Sequence, residues 1–242
     1  MAKLTLRTRE IGAVNVFDLE GDPTEEAVQE IADKIQRKIR RHRMQRVILN
    51  LKNMPEIDPI AMRRLLASCI RPKRSVIFGA SEETSRLLAD SCMASNMRLC
   101  SNEEQVAEDL GPFLLERESD KQIERENPDV SKESIGHQVE RRRAKRMHVA
   151  MPVEFRIRQS SGDPIFTKAI ITNISEGGMY AEYLDLDHAK QIEALNAVDG
   201  LKVEIRIPAC ANFPEEYQVN GVITRKEVRK KQLGLAIKFI EA

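Results

Sequence analysis

Hydrophobic and polar positions change their period about halfway along the chain. Over residues 1–115, short apolar runs alternate with stretches at helical spacing. Leu4 and Leu6, set among polar neighbours, predict a strand, and Val14-Asn15-Val16-Phe17-Asp18-Leu19 predicts a second, closed by Gly21. Asp22-Pro23-Thr24-Glu25 predicts a helix start. Asp22 would be the cap and Pro23 the first helical residue, where its missing N–H costs nothing. Val28, Ile31, Ala32, Ile35 and Ile39 then form one apolar face. Val47-Ile48-Leu49-Asn50-Leu51 is nearly continuous, as a parallel strand buried on both sides would be. Asp58-Pro59 opens a second helix carrying Met62, Leu65, Leu66 and Cys69, and Val76-Ile77-Phe78 predicts another strand. Ser81 caps a helix with Leu87 and Leu88. Met97-Arg98-Leu99 is a weaker strand, and Ser101-Asn102-Glu103-Glu104 forms a capping box before Val106, Leu110 and Leu114. This alternation predicts an α/β layer with a mostly parallel sheet.

Residues 116–140 lose the pattern. They are polar and acidic, hold Pro128 and Gly136, and offer too little apolar surface to offset their ordering entropy, which reads as a linker. From His148 the period becomes two. Met151 to Ile157, Ala169 to Thr172, Leu201 to Ile207, Tyr217 to Val228 and Leu233 to Ile240 alternate, with turn signals at Gly162-Asp163, Gly177-Gly178, Gly200 and Gly234. Five or six short strands predict a small antiparallel β-barrel, with a short helix over His188 to Ala197. The chain therefore reads as an α+β two-domain protein: an α/β domain at 1–115, a linker at 116–140 and a β-barrel at 141–242.

Composition narrows the function. The 242 residues carry 39 Lys and Arg against 38 Asp and Glu, and this even balance argues against a nucleic-acid coat. The mean hydropathy of −0.43 and the lack of a long apolar run exclude a transmembrane helix. The N-terminus lacks a signal-peptide core, so a cytoplasmic protein is expected. Cys69, Cys92, Cys100 and Cys210 show no C-x-x-C spacing and the four His are scattered, so no metal or other cofactor is expected and the thiols read as small, mostly buried side chains. There is no P-loop, dinucleotide fingerprint or nucleophile elbow, and no evident nucleophile–base pair, so an enzyme is not expected.

Two motifs carry chemistry. Arg142-Arg143-Ala144-Lys145-Arg146 fits R-x-x-x-R just before the first barrel strand, and Asn173-Ile174-Ser175-Glu176-Gly177-Gly178 fits [D/N]-x-S-x-x-G at the end of the next. With Gly234-Leu235-Ala236-Ile237-Lys238-Phe239 as a closing strand, residues 138–242 resemble the PilZ family. The resemblance implies binding of the bacterial second messenger cyclic di-GMP through Arg142, Arg143, Arg146, Asn173, Ser175, Gly177 and Gly178. The chemistry agrees. A guanine offers an O6/N7 acceptor pair to a planar Arg fork and a face on which a guanidinium stacks. Asn173 both donates and accepts, Ser175 offers a hydroxyl, and the glycines would permit positive φ and close backbone approach. A plain hairpin turn would explain the glycine pair equally. Five of the six residues from Arg141 to Arg146 are cationic, whereas the barrel beyond is close to neutral, which suits a small dianion better than a long polyanion. The arm is expected to be mobile until the ligand gives its arginines partners.

The first half resembles a STAS domain, the fold of anti-sigma factor antagonists, through Val47 to Leu51, Met54, Ile57-Asp58 and the helix beyond. In signalling members a phosphorylatable Ser follows that Asp. Here it is Pro59, which has no hydroxyl, so Asp58 keeps the role of helix cap and the domain reads as a docking module for another protein. Arg37 to Arg46 is very basic. It reads either as a contact for nucleic acid or an acidic partner, extended by Arg63, Arg64, Arg71, Lys73 and Arg74 if the fold brings them together, or as a helix C-terminus whose macrodipole favours cations. No aromatic residue interleaves the run for base stacking. The leading reading is a cyclic di-GMP receptor that relays ligand binding by domain rearrangement. The alternative is a protein-interaction adaptor whose barrel binds no nucleotide.

Overall fold

The computed structural model describes residues 3–89, 93–114, 146–159, 163–195, 200–210, 214–229 and 232–240. The first half is a five-stranded sheet in the order β1-β2-β3-β4-β5. β1 (Thr5–Ile11) and β2 (Val14–Glu20) form an antiparallel hairpin, and β3 (Arg46–Asn53), β4 (Arg74–Phe78) and β5 (Met97–Cys100) follow in parallel. Register explains the continuous apolar run of β3. Phe17, Leu49 and Ile77 are successive cross-strand partners on one face, and Val16, Ile48 and Val76 are partners on the other. The first face packs under α1 (Glu25–Arg41) and α2 (Pro59–Ser68), with Leu88 of α3 (Glu82–Ala89) at its edge. The second packs against Val106, Leu110 and Leu114 of α4 (Glu103–Leu114).

Most helix starts follow the expected chemistry. The Asp58 carboxylate accepts from the Ile60 and Ala61 N–H groups at 2.8 and 3.3 Å, ahead of Pro59. Ser81 accepts from Thr84 N–H, and Asn102 from Gln105 N–H, while the Gln105 side chain reaches back to Ser101 N–H. The exception is α1. Thr24 is its cap, with an extended backbone and a hydroxyl facing Ala27 N–H, so Pro23 lies just before the helix and Asp22 does not cap it. Asp22 instead sits in an isolated backbone β-bridge with Lys3.

The second half is a closed, wholly antiparallel barrel in the order β10-β11-β8-β7-β6-β9. Its strands are β6 (Met147–Ile157), β7 (Ile165–Ser175), β8 (Gly178–Glu182), β9 (Lys202–Ile207), β10 (Tyr217–Arg229) and β11 (Gln232–Phe239). Val153, Phe155, Ile171, Ala181, Ile205 and Leu235 fill its interior. A helix, α5 (Leu186–Glu193), adds Leu186, Ala189 and Ile192 to that core. It starts two residues before the expected His188, because the Asp185 side chain caps it at Asp187 N–H, and it ends four residues before Ala197.

The two halves share a core. Ala150, Ile170 and Leu184 of the barrel are buried in one cluster with Ile11, Val14, Val16 and Ile48 of the sheet. Arg9, 1% exposed, crosses the boundary. It binds both oxygens of Asp18 at 2.7 and 3.0 Å, and donates to the carbonyls of Tyr183 at 2.6 Å and Leu184 at 2.8 Å. Asn50 donates to Asp18 and to Leu184 O. Alongside, Glu182 accepts from Gly12 N–H of the β1–β2 turn and from the Thr172 hydroxyl, while its other oxygen is buried without a partner.

Candidate functional site

The β7–β8 hairpin puts the second motif at one end of the barrel. Ser175 closes the turn by donating its hydroxyl to Gly178 O at 3.3 Å. The two glycines differ. A Cβ at Gly178 would lie 2.2 Å from Ile237 O of β11, so this glycine is required by strand-to-strand approach, whereas a Cβ at Gly177 would meet open space. Neither adopts a positive φ, contrary to expectation; among the described residues that conformation belongs to Gly12, Gly21, Gly79, Gly200 and Arg43. Ser175 and Gly178 nonetheless pair across the two-residue turn Glu176-Gly177.

Two bulges shape the surface beside the turn. The β7–β8 ladder shifts register between Ile171 and Asn173, so Thr172 meets Glu182 at the boundary with the first half while Asn173 is half-buried. The β10–β11 ladder shifts between Ile223 and Arg225. An extra residue in one strand re-aims the side chains beside it, a device common next to binding sites. The result is a cavity of about 340 Å³ lined by Arg146, Asn173, Ser175, Gly177 and Gly178, and on its far side by Tyr180, Arg225, Glu227 and Lys238.

All the sequence-predicted site residues that are described therefore meet in one place. Arg146, exposed, stands just before β6. Arg142 and Arg143 lie outside the described residues, as do the rest of the arm and the linker over 116–140. Arg225, Lys238, Tyr180 and Glu227 were not singled out by the motif reading, because their approach depends on the bulge in β10 and on barrel closure. Arg146, Arg225 and Lys238 face one carboxylate, Glu227, so the cavity lining carries excess positive charge. Glu227 accepts from Tyr180 OH at 3.0 Å and pairs with Arg225 at 2.9 Å. Burial, then the nearby charges of Glu182 and Glu227, push the Tyr180 hydroxyl well above its ordinary range, so it stays protonated and donates.

Size alone does not select this cavity. A groove of about 590 Å³ on the outer barrel face is larger, but its charges pair with one another: Glu154 with Arg206, and Glu204 with Arg156. A third recess, about 650 Å³, lies along Lys34, Arg37, Lys38, Arg40 and Arg41 of α1. These cations are exposed on the last turns of a helix whose first turn is acidic, as the macrodipole reading expects. Arg64 pairs with Glu25 and Arg74 with Asp109, which subtracts both from any wider basic patch. Burial pushes the Cys69 and Cys100 thiols up to about 11, as inert core thiols require. Among the described residues no cluster of His, Cys, Asp and Glu could hold a metal ion, and no helix is long and apolar enough to cross a membrane.

Residues 140–242 match the family model of the PilZ domain, which spans the barrel. No curated protein matches the chain. Among solved structures, the PilZ domain with c-di-GMP of YcgR from Escherichia coli is similar at 14% identity, covering 41% of this chain and 78% of that one, with a TM-score of 0.30. The anti-sigma factor antagonist SpoIIAA in its unphosphorylated form is similar at 19% identity, over 43% of this chain and 96% of that one, with a TM-score of 0.32. The phosphorylated form of SpoIIAA, described as a Bacillus cell fate determinant, gives the same identity and TM-score over 99% of its length. The antiparallel barrel lies within the residues that match the PilZ model.

Proposed function

We propose that this chain is a cyclic di-GMP receptor that works by binding rather than catalysis. Arg142, Arg143, Arg146, Asn173, Ser175 and Gly177 contact the dinucleotide, and Gly178 sets the floor against β11. The observation that carries this reading is the convergence of Arg146, Asn173, Ser175, Gly177 and Gly178 on one positively charged cavity, inside the region that matches the PilZ family. Two phosphates meet cations there, and the guanines meet planar guanidinium forks. Gly177, with open space where a Cβ would be, leaves its backbone accessible to the ligand. The arm folding over the cavity then alters the surface offered to a protein partner, and the STAS-like half supplies the docking module.

Calorimetric titration tests the reading. The full chain should bind cyclic di-GMP in preference to GTP, cyclic GMP and cyclic di-AMP. Arg142→Ala or Arg146→Ala should weaken binding roughly tenfold or more, since a good bidentate Arg–guanine contact is worth about 1–3 kcal/mol. Arg37→Ala, on α1, should leave it unchanged. No binding at micromolar concentration, or equal binding of all four nucleotides, would refute the proposal.

A further inference from the structure

The cavity contains a group that a phosphate site does not call for. Glu227 is the one carboxylate among its described lining residues, and it sits among Arg146, Arg225 and Lys238 with its side chain only 13% exposed. A site built for phosphates alone would be weakened by that charge. Yet the barrel holds it in place from two sides. Arg225 fixes Oε1, and the Tyr180 hydroxyl fixes Oε2. Tyr180 reaches Glu227 by lying across Gly234, the register partner of Glu227 in β11. A Cβ at Gly234 would stand 2.6 Å from the Tyr180 oxygen, so the glycine is what lets the ring lie there.

Each carboxylate oxygen has two acceptor sites, so an ionised Glu accepts about four hydrogen bonds. The Tyr180 hydroxyl uses one of them, on Oε2, while Arg225 pairs with Oε1 by charge. Acceptor sites remain on both oxygens, and two adjacent carboxylate oxygens can receive two parallel N–H donors. The Watson–Crick edge of guanine presents such a pair, the N1–H and the 2-amino group. Adenine places an unprotonated N1 at that position, and its lone pair would face the carboxylate. The opposite edge of guanine, O6 and N7, is the one an Arg fork reads.

Resting on the receptor reading above, we propose that Glu227 is the specificity-determining acceptor of this cavity, taking the N1–H and 2-amino donors of one bound guanine. Tyr180 is its positioning residue. The cation cluster supplies affinity for any cyclic dinucleotide, and Glu227 sets which base is accepted.

The test compares cyclic di-GMP, cyclic di-IMP and cyclic di-AMP on the full chain and on Glu227→Gln, by calorimetry. Inosine keeps the N1–H but lacks the 2-amino group. The wild type should prefer cyclic di-GMP to cyclic di-IMP, and both to cyclic di-AMP. The near-isosteric Gln should cost cyclic di-GMP roughly tenfold or more and collapse its advantage over cyclic di-IMP. Cyclic di-AMP should bind the variant as well as or better than the wild type, because a repulsive charge has gone; retained binding of this ligand also shows that the variant is folded. An unchanged cyclic di-GMP to cyclic di-IMP ratio, or an equal loss of all three ligands, overturns the assignment while leaving the receptor reading standing. Absence of saturable cyclic di-GMP binding by the wild type overturns the receptor reading and the role of Glu227 with it.

Discussion

Arg9→Met should uncouple the two halves of the molecule. The Arg9 side chain is fully buried, and its guanidinium supplies donors to four acceptor atoms, two on Asp18 and two on barrel carbonyls. Methionine retains much of the aliphatic stem but none of the donors. Asp18 would keep only Asn50 as a side-chain donor, and Tyr183 O would lose the guanidinium. Removing one partner of a buried ion pair typically costs about 3–5 kcal/mol, because the other charge stays buried and uncompensated. Among the described residues the remaining cross-boundary ion pairs are exposed or long: Lys190–Glu20 at 2.9 Å, and Lys52–Asp185 at 3.7 Å. Exposed pairs of this kind contribute about 0–1 kcal/mol, so they cannot replace the lost interaction.

The sequence provides separate probes for the two halves. There is no Trp, and the three Tyr, at 180, 183 and 217, all lie in the barrel. Tyrosine fluorescence therefore reports the barrel. Far-ultraviolet circular dichroism is weighted towards the helices, of which α1 to α4 are N-terminal. In urea the wild type should give coincident transitions by the two probes, the signature of one cooperative unit. Arg9→Met should separate them and lower the stability of the less stable half. Coincident transitions with a loss below about 1 kcal/mol would refute the argument that this guanidinium joins the halves.

Two further substitutions give sharp outcomes. Gly178→Ala should destabilise the barrel by about 1–3 kcal/mol, because its Cβ would collide with the β11 backbone, while Gly177→Ala should leave thermal stability unchanged and weaken cyclic di-GMP binding; equal melting losses for the two would count against the geometry of the turn. Burial raises the Glu182 carboxyl above its usual 4.5, so the folded state holds this proton more tightly than the unfolded chain, and stability is lost as pH rises from about 4.5 through the raised value. Glu182→Gln should therefore gain stability relative to the wild type as pH climbs from about 4.5 through the raised value, and show no such gain below about 4.5; a gap independent of pH in paired urea titrations would exclude an ionised Glu182 as the cause.

What the sequence reveals depends on whether the deciding neighbours are close along the chain. The buried strand at Val47 to Leu51, the Asp58-Pro59 cap and the alternation of the barrel strands are local, and each appears where expected. The α1 cap failed by two residues because Asp22 and Thr24 are both good caps, and only the backbone path chooses between them. Arg9 was illegible for a different reason. It shares a face with Thr5, Arg7 and Ile11, and Thr5 and Arg7 are exposed, so the face reads as solvated until the barrel is laid over its Ile11 end. At the site, the motif residues were legible as a pattern. Arg225 and Glu227 were not, since a bulge at Thr224 sets their direction and no local signal announces it.

The shared core also limits how a ligand could act at a distance. A ligand shifts a conformational equilibrium only by its difference in affinity for the two states. Separating the halves would expose Ile170 and Leu184, both fully buried, at about 1.5–3 kcal/mol each. Disrupting the Arg9 contacts would add about 3–5 kcal/mol. The sum, about 6–11 kcal/mol, is comparable to the whole binding free energy of a micromolar ligand, about 8 kcal/mol. A swing that detaches the halves would leave almost nothing for affinity. A shorter route follows from β8. Gly178 and Tyr180 line the cavity, and Glu182, in phase with them on the same side of the strand, meets the β1–β2 turn at Gly12. Tyr183 and Leu184 then carry the carbonyls that Arg9 holds. The cavity and the domain boundary are thus two ends of one five-residue strand, so on the receptor reading a ligand that moved Tyr180 would act on the boundary without opening it.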